Sequence, residues 1–304
     1  MSSSVRSPFH IRYCGSWVAL GLLRILSLIP MPLLFHIGTG LGDLLYAALP
    51  SRKRVAQRNL TLCFPELSEG DIQSLVKENI RNTARMLLYS GFVWWAPERK
   101  LRKRVTVRNE AILDRLENDG CGFILLAPHF LALELGGIFI SLRSPGVSVY
   151  QRTRNPVFDR SMLRARQRFG GTMYERKDDL RPMLKAIRRG KGCYYLPDQD
   201  PGKRRAVFAP FFGVPTATWP VLGRISKLCA APVLPCATYL LPGGAGFEIV
   251  IGEPLEHFPS ETQEGDAALM NAAIEHCVKQ RPNQYFWVHK RFKTRPPGAP
   301  KVYD

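Results

Sequence analysis

Cys121-Gly-Phe-Ile-Leu-Leu-Ala-Pro-His-Phe-Leu-Ala-Leu-Glu134 begins with a short apolar run, meets a proline, and presents a histidine followed five residues later by a carboxylate. An apolar run of this length with no polar alternation reads as a strand buried on both faces, the kind found in parallel sheets covered by helices. A helical pattern takes over at about 131–142. On one continuous helix, positions five apart are rotated by about 140°, so His129 is placed in the strand-to-helix turn after Pro128. Glu134 then lies in the first turns of the helix, facing back toward it. Neutral imidazole is suited to removing a proton from an alcohol near neutral pH, and a nearby carboxylate can fix its tautomer and stabilise the imidazolium that forms. His129 is therefore expected to be a catalytic base and Glu134 its orienting partner.

Outward from this stretch, strands and helices alternate. Residues 105–108, 122–126, 147–150, 172–174, 193–196, 233–239 and 247–251 read as short strands. Helical patterns fall at about 109–118, 131–142, 156–169, 178–189, 217–230 and 265–280. Such alternation predicts an α/β fold with a mixed, largely parallel central sheet flanked by helices. Ligands of such sheets gather at the carboxyl ends of the strands. His129, Arg152 and Asp198 each follow one such end.

The N-terminal region is different. Arg6 and Arg12 precede an apolar run at 17–29, then Pro30-Met-Pro32, then a second apolar run at 33–49. Together the runs exceed the roughly 20 residues a helical span needs, and no small-residue cleavage pattern marks them for removal. Arg24 and the two prolines weigh against a simple span. Three readings stand: a single anchor, a helix pair broken at Pro30 and Pro32 lying in one leaflet, or a hairpin packed into the soluble domain. Basic residues flank both sides, Arg52-Lys-Arg54 following the run, so charge counting gives no orientation. The expected division is a membrane anchor over 1–50 and a catalytic domain over 51–304. Ser68-Glu-Gly-Asp71 has the form of a capping box and opens a helix with Ile72, Leu75, Val76, Ile80 and Leu87 at helical spacing. That helix leads to Gly91-Phe-Val-Trp-Trp95 and the basic run 99–104, either a solvated connector or a patch for lipid headgroups or an acidic protein.

Composition narrows the partners. Forty-three Lys and Arg against 25 Asp and Glu give a net charge of +18 over 304 residues, which calls for acidic partners. Nucleic acid is the weakest of these, because neither zinc-finger spacing nor an RNA-binding aromatic signature accompanies the charge. The seven cysteines are scattered and mostly flanked by apolar residues, as buried thiols in a reducing compartment are. No metal-ligand spacing is present, and no metal is expected.

Four patches carry more: Pro128-His-Phe-Leu-Ala-Leu-Glu134, Tyr150-Gln-Arg-Thr-Arg-Asn-Pro156, Leu196-Pro-Asp-Gln-Asp-Pro-Gly202 running to Phe208-Ala-Pro-Phe-Phe-Gly213, and Gln284-Tyr-Phe-Trp-Val-His-Lys-Arg-Phe-Lys-Thr-Arg295. This set resembles the lipid A biosynthesis acyltransferases, within the wider glycerophosphate and lysophospholipid acyltransferase superfamily. The resemblance covers nearly the whole chain, and the closing Gln-Tyr-x-Trp segment is its most particular mark. It implies a glycerophosphate acyltransferase-like fold at the cytoplasmic side of the bacterial inner membrane. It also implies an O-acyltransferase that uses no cofactor and moves a fatty acyl chain from an acyl carrier protein thioester to a hydroxyl of a lipid A precursor. Carried over, His129 is the base and Glu134 its partner. Relatives place an arginine where Gln151 stands here, so the expected substrate-binding arginine is Arg152, with Arg154 the alternative; a planar guanidinium fork suits phosphate. Asn155, Arg166, Asp198 and Asp200 complete the expected substrate contacts, the two aspartates shaping the acceptor pocket. The alternative function within the superfamily is a lysophosphatidic acid type of glycerophospholipid acyltransferase, against which the lack of a Phe-Pro-Glu-Gly-Thr-Arg motif after His129 counts.

Overall fold

A computed structural model describes residues 8–303, so Arg6 lies outside the described residues. Helices α1 (Cys14–Leu26), α2 (Met31–Ala48), α3 (Pro50–Cys63), α4 (Glu69–Trp95) and α5 (Glu98–Arg102) come first. Strand β1 (Val105–Arg108), α6 (Glu110–Asn118), β2 (Phe123–Leu126), α7 (Leu133–Arg143), β3 (Val147–Tyr150), α8 (Pro156–Gln167), β4 (Thr172–Glu175), α9 (Arg181–Arg188) and β5 (Gly192–Tyr195) then alternate. The chain continues with β6 (Val207–Phe211), β7 (Val214–Thr218), α10 (Val221–Cys229), β8 (Val233–Leu240), β9 (Phe247–Ile251) and α11 (Gln263–Gln280).

Seven strands form one sheet in the order β1-β9-β8-β2-β5-β3-β4. Every neighbouring pair is parallel except β8 with β9, so the sheet is mixed and largely parallel, as expected. All four residues of β2 are buried, which explains its unbroken apolar sequence. One point went unread: residues 207–218 form an antiparallel hairpin, β6 with β7, outside the main sheet. It packs on α11, and the helix expected from residue 217 starts at Val221. Prolines at 210 and 215 mask a strand pattern, because proline cannot donate to a ladder.

The expected capping box forms. Ser68 Oγ accepts from the Asp71 amide at 3.2 Å and donates to its carboxylate at 2.6 Å, fixing the start of α4. That helix is the frame of the N-terminal half: α1, α2 and α3 all pack on it. Glycines at 38 and 42 let α2 approach α4 so closely that an added Cβ at either would collide with the Arg85 or Arg81 backbone. Buried Arg85 donates to Glu78, Asn82 and Thr39, and Tyr89 donates to the Met31 carbonyl at 3.0 Å.

No single described helix is long and apolar enough to cross a membrane; α2 and α3 reach that measure only together, and they are bent by 94°. The inner faces of α1 and α2 are buried on α4, while Val18, Leu22 and Ile25 of the first, Leu28 just beyond it, and Leu33, Ile37 and Leu44 of the second point outward, all at least 44% exposed. Trp94 and Trp95 stand at the same end, with the Arg24 guanidinium over the Trp95 ring. Five of the seven cysteines are buried, Cys14 and Cys121 being exposed.

Candidate active site

Strands β2 and β5 are parallel neighbours, Leu126 opposite Tyr195, so the loops leaving their carboxyl ends run side by side. The first carries His129 and the second Asp198. His129 Nδ1 lies 2.5 Å from Asp198 Oδ1, and the His129 amide donates to Oδ2 at 2.7 Å. Asp198 is buried, 1% exposed. Burial alone would raise its carboxyl, but the charge and hydrogen bonds of His129 and the Tyr285 hydroxyl outweigh that and hold it at about 2. Nδ1 is thereby the donor to a carboxylate, which fixes the tautomer and leaves Nε2 as the basic nitrogen. Nε2 has no partner among the described residues.

The expected pairing of His129 with Glu134 is corrected here. Glu134 lies at the second position of α7 and turns to α8, where Arg166 Nε reaches both carboxylate oxygens at 3.1 and 3.0 Å and Nη2 reaches Oε2 at 2.5 Å. A charge placed on the helix face toward α8 finds a guanidinium there, whereas the carboxylate beside the imidazole comes from the adjacent strand. His129, Glu134, Arg166 and Asp200 nevertheless line one cavity of about 690 Å³.

The other expected substrate contacts diverge. Arg152 is exposed and bridges to Glu175 at 3.0 Å; the cavity lining follows β3 and ends one residue earlier, at Gln151. Arg154 is exposed. Asn155 is occupied at both ends of its amide. Its oxygen accepts from the Val157 and Phe158 amides at the start of α8, and its nitrogen donates to Ser16 of α1 at 2.8 Å. Asp200 accepts from the Thr294 amide at 2.6 Å and the Thr294 hydroxyl at 2.9 Å. Asp198 thus has the orienting position expected of Glu134, and Asp200 ties the site to the C-terminal segment. Among the described residues, no three His, Cys, Asp or Glu side chains gather as a metal site.

Residues 284–294 explain the closing motif. Tyr285 donates to Asp198 Oδ2 at 2.8 Å, and the Phe286 amide donates to the His129 carbonyl at 3.0 Å. Gln284 exchanges two hydrogen bonds with the Leu240 backbone. Buried Asn79 donates to the Tyr285 carbonyl at 2.7 Å, and buried Asn59 donates to the Trp287 and His289 carbonyls at 2.7 and 2.8 Å. His289 Nε2 accepts from the Asp200 amide at 3.3 Å, and burial, with Arg291 and His129 adding to it, lowers its pKa. Sequence reasoning quoted Gln284-Tyr-x-Trp287 without a role, and gave Asn59 and Asn79 none. Two asparagines within amphipathic helices signal only that a polar group is buried; their partners lie more than 200 residues away. Replacing Tyr285 with Phe removes one donor from a buried, charged acceptor, and should lower unfolding stability by about 1.5–3 kcal/mol. Urea unfolding of the two proteins measures it.

The sequence profile of the bacterial lipid A biosynthesis acyltransferase family matches residues 3–294. The lipid A biosynthesis lauroyltransferase of Escherichia coli (strain K12) is 35% identical over 299 residues, covering 97% of this chain and 96% of that protein. The palmitoleoyltransferase of the same strain is 32% identical, with 98% and 97% covered. Its myristoyltransferase is 31% identical, with 97% and 91% covered.

Proposed function

Because the chain belongs to the bacterial lipid A biosynthesis acyltransferase family, we propose that it transfers a fatty acyl group from an acyl carrier protein thioester to a hydroxyl of a lipid A precursor, with His129 as general base. The observation that carries this reading is the imidazole itself: Nδ1 held by a buried carboxylate, Nε2 without a partner among the described residues, and a largely apolar cavity beside it. Nε2 takes the proton of the acceptor hydroxyl as that oxygen attacks the thioester carbon. The new C–O bond forms, the C–S bond breaks, and the imidazolium returns its proton to the leaving thiolate. Asp198 holds the tautomer and stabilises the imidazolium. The thioester is already activated, so no covalent acyl-enzyme and no cofactor are needed.

The developing oxyanion needs donors. The amides of Phe130, Leu131 and Leu133 are bonded to backbone carbonyls; those of Glu134 and Leu135, at the first turn of α7, serve the oxyanion. Glu134 acts through Arg166, fixing a guanidinium in the cavity wall. Phe123, Leu125, Ile138 and Met183 give the cavity the apolar lining that an acyl chain requires. The outward apolar faces of α1 and α2 lie in the cytoplasmic leaflet of the inner membrane, as interfacial helices do, with Trp94 and Trp95 at headgroup level.

The test is transfer of labelled acyl groups from acyl carrier protein to a tetra- or penta-acylated lipid A precursor, with lysophosphatidic acid as rival acceptor. Acylation of the lipid A precursor is the expected result; acylation of lysophosphatidic acid alone would replace this reading with a glycerophospholipid acyltransferase.

A further inference from the structure

The surplus positive charge is unevenly placed. Residues 176–191 hold seven basic side chains and two acidic ones, and α10 adds Arg224 and Lys227 with no acidic residue. On α9 and just beyond it, Arg181, Lys185, Arg188, Arg189 and Lys191 are exposed, as are both basic residues of α10. The two helices pack together, and Arg188 Nε donates to the Leu228 carbonyl at 2.7 Å, so these charges form one surface. Arg181 is paired with Asp179; Lys185, Arg189, Arg224 and Lys227 form no ion pair with any described residue.

A second observation falls on the same face. Beyond residue 87, Val221 and Leu228 are the two described large apolar side chains that stand exposed, 39% and 42%. Both lie on α10, among its two basic residues. Exposed apolar groups ringed by charge of one sign mark a protein contact surface. The surface also leads inward. Val221 lines the cavity beside Trp219, whose ring is covered at 4.6 Å by the Arg176 guanidinium, another cavity-lining residue.

Its position leaves the apolar N-terminal face free. Met183, Ile187, Leu222 and Ile225 of α9 and α10 pack in one core cluster, while Met31, Leu34, Phe92, Leu135 and Ile138 of α2, α4 and α7 pack in the other. We infer that the outer faces of α9 and α10 dock a small acidic protein carrying the acyl thioester and direct its chain past Trp219 into the cavity. This rests on the carrier-protein donor proposed above. Complementary charge speeds encounter and fixes orientation, and its effect weakens with salt.

The experiment compares the full-length protein with a Lys185→Glu, Arg224→Glu, Lys227→Glu variant and with an Arg54→Glu, Arg115→Glu, Lys301→Glu control of equal charge change. Each is assayed with acyl carrier protein and with an acyl-pantetheine of the same chain length. The first variant should raise KM for the carrier-protein donor at least about tenfold, with kcat unchanged, while acyl-pantetheine transfer and the control stay at the native level. The native KM should rise with salt, and the variant's much less. If the native protein uses the carrier protein and the variant's KM is unchanged, or if both donors suffer equally, the docking surface is overturned while the donor stands. If the native protein uses acyl-pantetheine but not the carrier protein, the donor reading falls and takes the docking surface with it.

Discussion

Asp198→Asn should lower kcat for acyl transfer on the order of 10²- to 10⁴-fold while leaving a folded protein. The carboxylate faces three donors: the His129 imidazole, the His129 amide and the Tyr285 hydroxyl. An asparagine has one acceptor oxygen to offer them. If that oxygen meets the imidazole, the amide nitrogen confronts two donors; if it flips, Nδ1 loses its acceptor and the tautomer is no longer held. Single-turnover rates, with circular dichroism as the check on folding, separate lost chemistry from lost structure. The pH dependence follows from the same contacts. Because the Asp198 carboxyl is held at about 2, its folded value lies below its unfolded one. Its contribution to stability is complete above the ordinary carboxylate range and is lost as pH falls through about 2.

The second large effect belongs to Arg166. Replacing it with Met strands the Glu134 carboxylate in the cavity wall without the guanidinium that pairs with it. Removing one partner of a buried pair costs about 3–5 kcal/mol; with the two side chains 24% and 21% exposed, about 2–3 kcal/mol is expected. The double variant Arg166→Met, Glu134→Gln should recover part of that loss, because no charge is left behind. Denaturant midpoints of the four proteins form the cycle that isolates the pair.

The central sheet was legible because its strands announce themselves locally. Residues 123–126 are all apolar and all buried, so a short window sufficed. The β6–β7 hairpin was not, since Pro210 and Pro215 break its pattern and its stability comes from packing on α11. The place of His129, in the loop that leaves the end of β2, could be read from the apolar run before it. Its carboxylate partner could not, because strand order decides it: β5 is 69 residues onward by the Asp198 count yet lies beside β2. Glu134, the carboxylate close in sequence, is turned away by the helical geometry that follows Leu133. Arg166, expected as a substrate contact, lies in the cavity wall, while Asn155 is held by a helix start and by Ser16. The Gln284-Tyr-x-Trp287 motif shows the same limit, since its partners at 59, 79 and 240 are joined to it only by folding.

The most direct measurement is the rate of acyl transfer to a lipid A precursor by the native protein and by His129→Ala, both shown to unfold at the same denaturant concentration. A base whose Nε2 takes the acceptor's proton requires the variant to lose at least about 10²- to 10⁴-fold in kcat, with binding of the lipid acceptor retained. Transfer by His129→Ala at the native rate would contradict the assignment of His129 as the base.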